Sequence, residues 1–133
     1  MAIEYEVVRD GRVLWQVYTD PVDMIEVAAH STKLQREIFD NATLPIHTVS
    51  DFSKVTQLPR NVISGSLSII RNSHPMSGEL ILITTNRFVT MMARIFKQSA
   101  SRYRITLCRS SVEAWDVITD LLEKEKAIAS SKS

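Results

Sequence analysis

Ser53, Asp51 and His47 are the residue types of a hydrolytic triad, and they fall in one short stretch, "IHTVSDFS". Such a triad needs nucleophile, base and orienting acid within hydrogen-bond reach of one another. The stretch reads as a strand, whose period of two puts His47 and Asp51 on one face. Four residues of strand rise separate them by roughly 13 Å, so no relay is expected. His30, His47 and His74 lack the paired His-x-x-x-His spacing of a metal site, and Asp51 and Glu79 are lone carboxylates at strand borders. Gly11, Gly65 and Gly78 stand apart, so no glycine-rich phosphate loop is present. The single Cys108 excludes an intrachain disulfide. Arg109 beside it would lower the thiol pKa, whereas burial would leave it inert. No enzyme, cofactor or metal is expected.

The 133 residues suit one domain with one core. Apolar residues make up 44% and charged residues 23%, ordinary values for a globular chain. The opening "MAIEYEVVRD" has neither the basic nor the apolar region of a secretion signal, and no apolar run reaches membrane-spanning length. A cytoplasmic protein is expected. The net charge of +1 hides an asymmetry. Between Arg60 and Arg109, eight basic residues, Arg102 among them, face the single acid Glu79, a net +7. The flanking segments are acidic. The basic span either meets phosphate or an acidic partner, or is neutralised by its neighbours in the fold.

The elements that must position these residues follow from patterning. Ile3, Tyr5 and Val7 alternate with Glu4 and Glu6, Asp10-Gly11 signals a two-residue turn, and Val13, Trp15 and Val17 resume the alternation. Asp20 and Pro21 then start a helix, with Met24, Val27, Ala28, Leu34 and Ile38 as its inner face. The polar run "HSTK" interrupts that face. "LPIHTVSDF" reads as an inner parallel strand. Pro59 opens a second helix with Val62, Ile63, Leu67 and Ile70 inward. Gly65 inside it costs about 1 kcal/mol relative to Ala, which suggests a close backbone contact or a fray. "NSHPMSG" is a loop. "ELILITT" is a strand, and Thr85 or Asn86 caps a third helix with Phe88, Met92, Ile95 and Phe96 inward and Met91 lateral. "YRITLC" is the fifth strand, with Tyr103, Ile105 and Leu107 on one face. Ser110 and Glu113 form a capping box before a fourth helix that buries Trp115, Ile118 and Leu122. Residues 127–133 form a fraying polar tail. The expected fold is a single α/β domain, β-β-α-β-α-β-α-β-α, with a mixed sheet, a parallel centre and helices packed on it.

This order and size resemble the STAS domain of anti-sigma-factor antagonists, and more closely its SpoIIAA-like bacterial branch, over residues 1–126. The family's telling segment is a strand ending Asp-Leu-Ser, a loop, then Asp-Ser-Ser/Thr-Gly at a helix start. Asp51-Phe52-Ser53 matches the first part. The second part reads Pro59-Arg60-Asn61-Val62, so Arg60 stands where the family has its phosphoacceptor serine. The resemblance implies a regulatory, non-enzymatic protein-interaction module without that serine.

Ligands of open α/β sheets gather beyond the carboxyl ends of the parallel strands. That edge is expected to carry Asp51, Ser53, Arg60, Asn61, Ser64, Thr84, Thr85, Asn86 and Arg87, which either meet a partner or only cap helices. A protein partner is the first expectation. The alternative is a small ligand: a nucleotide, another phosphate-bearing molecule, or a lipid-like molecule under the helices. Nucleic acid is not expected, because aromatic residues do not interleave the arginines. An edge strand from the first hairpin leaves a homodimer open.

Overall fold

A computed structural model describes residues 3–99 and 104–131. Arg102 and Tyr103 lie outside these described residues. Five strands form one mixed sheet in the order β1-β2-β3-β4-β5, with ranges β1 Ile3–Val8, β2 Val13–Thr19, β3 Ile46–Lys54, β4 Ser77–Ile83 and β5 Ile105–Cys108. β1 pairs antiparallel with β2, and every later pair is parallel. The helices are α1 Met24–Glu37, α2 Val62–Arg71, α3 Arg87–Ser99 and α4 Ser111–Ser131, and a short 3-10 turn, Phe39–Asn41, follows α1. The expected order of strands and helices is the observed one. No helix among the described residues is long and apolar enough to cross a membrane.

Three crossovers in one direction put α1, α2 and α3 on the same side of the sheet. There Met24, Val27, Val62, Met92, Ala93 and Phe96 pack with Tyr18, Leu82 and Ile105. The alternate strand residues Val13, Val49, Ile81 and Ile83 face the other way and meet Ala114 and Ile118 of α4. The Trp15 ring stacks on Trp115 of α4 at 4.5 Å between centroids.

The first turn has Asp10 and Gly11 at its centre with φ of 57° and 81°, closed by a hydrogen bond from Arg12 N–H to the Arg9 carbonyl at 3.2 Å. β1 is an edge strand as expected, although Tyr5 and Val7 remain 38% and 40% exposed.

Helix starts and faces differ from expectation in ways that have causes. α1 is capped by Asp23, which accepts from Ile25 N–H at 2.8 Å, not by Asp20. Asp20 is taken by the loop after β3, where it accepts from Thr56 N–H at 3.0 Å and from the Thr56 hydroxyl. Ala28 is exposed, and the inner stripe of α1 runs instead through His30 and Ser31 to Leu34. α2 begins at Val62 rather than Pro59, because the Pro59 carbonyl first closes a turn with Val62 N–H at 3.1 Å. Ile63 is therefore turned out. Gly65 faces α1 so closely that a Cβ there would stand 3.0–3.1 Å from Met24 side-chain atoms, the close contact its helical position suggested.

α3 carries two apolar rows at helical spacing. The sheet takes Val89, Met92, Ala93 and Phe96, in which small Ala93 permits close approach. The expected Phe88 and Ile95 belong with Met91 to the outer row. In α4 half of the expected capping box forms: Ser110 Oγ accepts from Glu113 N–H at 3.2 Å, while the Glu113 carboxylate accepts from Arg109 N–H at 3.1 Å, one residue before the cap. Helix α4 runs to Ser131, so residues 127–131 continue it. Two residues before that expected tail, Glu125 ties the helix to the sheet by bonding His47 Nε2 at 2.8 Å and Arg12.

Candidate ligand-binding cavity

The inner face of the sheet presents Leu14, Gln16 and Tyr18 from β2 beside Thr48, Ser50 and Phe52 from β3. The register aligns Gln16 with Ser50 and with Leu82 of β4. Two of these positions, Gln16 and Ser50, are polar in phase with the core and 6% and 5% exposed. Buried polar groups of this kind must be partnered. Here the partners are one another. The Gln16 amide nitrogen donates to Ser50 Oγ at 3.3 Å, Gln16 Oε1 accepts from His30 Nε2 of α1 at 2.7 Å, and the Ser50 hydroxyl lies close enough to the Tyr18 hydroxyl to bear on its pKa. The chain His30–Gln16–Ser50–Tyr18 thus crosses from helix to sheet and along it.

This chain lines a cavity of about 190 Å³ between the sheet and α1, α2 and α3. Leu80, Leu82, Ile69 and Phe96 supply apolar wall, and Ser66 of α2 faces in from the helix layer. α2 leaves this room because it packs chiefly on α1 and buries only Val62 fully. Phe52 closes one side by stacking on Tyr18 at 4.7 Å. Glu79, Arg104 and His74 lie where the cavity reaches the amino ends of β4 and β5. There His74 is paired to Asp40 at 2.7 Å, and Arg104 approaches Glu79 at 4.0 Å.

The electrostatics follow from burial. Tyr18 is pushed up to about 12 by burial, partly opposed by its Ser50 hydrogen bond, so it stays a phenol. Burial, then the positive charge of Lys33, holds His30 below its ordinary value, so its ring is neutral near pH 7. A neutral His30 whose Nε2 donates to Gln16 keeps Nδ1 as an acceptor.

The residues singled out by sequence are distributed differently. His47 bonds neither Asp51 nor Ser53. Its Nε2 meets Glu125, its Nδ1 accepts from Glu79 N–H at 2.9 Å, and it is buried on the α4 side. Asp51 is buried and accepts from Ser53 N–H at 2.9 Å. Thr84 is buried and accepts from Asn86 N–H at 3.0 Å. Asn86 caps α3 by accepting from Phe88 and Val89 N–H groups. Of these three, Asn86 carries the helix-capping role. Ser53, Arg60, Asn61, Ser64, Thr85 and Arg87 are exposed, with the Ser64 hydroxyl donating to the Asn61 carbonyl at 3.3 Å. Cys108 is buried, and burial followed by the charge of Glu113 raises its pKa, leaving an unreactive thiol. No group of three or more His, Cys, Asp or Glu stands together among the described residues.

Sequence reasoning missed the cavity. Its signal was present in Gln16 and Ser50 at core positions of their strands, and in the polar "HSTK" run that falls on the inner stripe of α1. The chain matches no protein-family model and no curated protein.

Proposed function

We propose that this protein is a regulatory module whose input is a small ligand held between the sheet and α1, α2 and α3. The observation that carries this reading is the His30–Gln16–Ser50–Tyr18 chain on the wall of a largely apolar cavity. A few converging polar groups in an apolar pocket are the usual composition of a ligand site. A ligand there would press on α2, whose first residues follow the exposed Arg60 and Asn61. Occupancy would thereby be transmitted to the cationic edge formed by Arg60, Asn61, Ser64 and Arg87, where a protein partner would read it. The resemblance to STAS domains supports such an output, with the fixed positive charge of Arg60 where the family has its phosphoacceptor serine.

The reading is tested by a thermal-shift screen of small molecules on the full chain, repeated on Ser66→Phe, which fills the cavity from α2. Compounds that raise the unfolding midpoint of the native chain and not of the variant support it. Compounds that act equally on both, or no active compound at all, overturn it.

A second reading, direct protein binding at the edge without a ligand, rests on the exposure of Arg60 and Arg87. It requires that Arg60→Glu with Arg87→Glu abolish partner binding while Ser66→Phe leaves it intact.

A further inference from the structure

The polar chain in the cavity has a proton count that limits what it can hold. Ser50 and Tyr18 each bring one O–H to the same cavity wall, and Ser50 Oγ already accepts from Gln16. Even where one of these hydroxyls donates to the other, the second O–H is left to give. At the opposite end His30 Nε2 donates to Gln16, which leaves Nδ1 to accept. The chain therefore offers one donor at the Tyr18–Ser50 end and one acceptor at the His30 end.

The chain holds no fixed charge. Gln16, Ser50 and Tyr18 are neutral, burial disfavours a charge on His30, and the other ionisable groups that line the cavity, His74, Glu79 and Arg104, lie towards the amino ends of β4 and β5. A carboxylate or ammonium brought against the Gln16–Ser50 row would be buried with no fixed counter-charge beside it, a cost of several kcal/mol. The size is also limiting. An apolar cavity of about 150 Å³ holds one benzene ring, and this one measures about 190 Å³. Its walls enclose room for one substituted ring.

We infer that the ligand is an uncharged, single-ring molecule bearing a carbonyl or ether oxygen that accepts from the Tyr18–Ser50 pair. This inference rests on the ligand-binding reading above and narrows its chemistry. It excludes the phosphate-bearing and lipid classes that the basic span and the helical layer suggest from sequence.

The test is calorimetric titration of the full chain, and of Ser66→Phe, with acetophenone, ethylbenzene, benzoate, benzylammonium and octanoate. Acetophenone and ethylbenzene have nearly the same shape and differ in one acceptor. The expected order is acetophenone about fivefold tighter than ethylbenzene, one net hydrogen bond, with the three ions weaker than both. Ser66→Phe should abolish all binding. Tightest binding by benzoate, benzylammonium or octanoate, lost in Ser66→Phe, overturns the uncharged-ring inference while the cavity reading stands. Equal binding of acetophenone and ethylbenzene overturns the assigned acceptor role. Absence of binding by every probe overturns the inference. The wider screen then decides the cavity reading separately.

Discussion

Gln16 Oε1 lies 2.7 Å from His30 Nε2, so one hydrogen bond spans the gap between β2 and α1 at the wall of the cavity. A charged His30 would still donate this bond, but burial and Lys33 disfavour the charge. Below the ordinary histidine value of 6.5 the unfolded chain then binds more protons at this site than the folded chain. Stability is therefore expected to fall as pH drops from that value towards the lowered one. Urea unfolding at about pH 7.5 and about pH 5.5 measures the loss, and His30→Gln should make it smaller. An unchanged difference would show that His30 does not carry it.

The carboxylates act in a lower window. Burial alone would raise Glu125, but hydrogen bonds and charge from Arg12 and His47 outweigh it and lower its pKa. Asp20 is lowered by the Thr56 hydroxyl and N–H. Both stabilise the fold above their ordinary values of 4.5 and 3.8, and that contribution disappears as pH falls through the lowered ones. Glu125→Gln should flatten the acid limb of the unfolding profile measured by circular dichroism.

A Cβ on Gly78 would stand 2.3 Å from His47 Nδ1, inside any permitted contact. His47 resists moving, because it is buried and bonded at both ring nitrogens. Gly78→Ala should cost about 2–4 kcal/mol, from overpacking together with a displaced hydrogen bond. In a His47→Ala background the same change should cost much less. Denaturant unfolding of the four proteins checks this, and simple additivity would contradict it.

How far the sequence reveals this depends on the residue. Strand alternation in "IEYEVV" and "VLWQVYT" and the apolar run in "ELILI" mark the sheet, because burial on one or both faces leaves a direct pattern. Helix phase is less visible. Phe88, Met91 and Ile95 form as good a stripe as Val89, Met92 and Phe96, and only the approach of Ala93 to the sheet decides between them. Asp20 has the type and position of a cap, yet its carboxylate is needed 36 residues further on at Thr56, a long-range contact no local pattern announces. The cavity was half legible. Gln16 and His30 each look like flaws in an apolar stripe, and become a site only when β2 and α1 are brought together.

The stacked pair Trp15–Trp115, with the Arg9 guanidinium 5.1 Å from the Trp115 ring, holds α4 to the sheet. Trp115→Ala should destabilise the chain by about 3 kcal/mol, combining lost burial with the lost ring pair. The near-ultraviolet circular dichroism of the pair should vanish with it. Ligand binding on the opposite face of the sheet should remain.

Ligand entry should also be visible in α2. Filling the space beneath Ser66, Ile69 and Ile70 adds contacts to a helix that buries only Val62 fully. Hydrogen exchange of residues 62–71 is expected to slow about tenfold in saturating acetophenone, corresponding to about 1.4 kcal/mol of added local stability. Exchange in α4 should change only to the extent that global stability does.

The most direct test of the cavity as a ligand site is a methyl-labelled nuclear magnetic resonance titration with acetophenone. Shifts are predicted for Leu14, Ile69, Leu80 and Leu82, which line the cavity, and not for Val13, Val49, Ile83 or Ile118, which face α4. Perturbation centred on the α4 side, or none at any concentration that acetophenone reaches in water, would contradict the account.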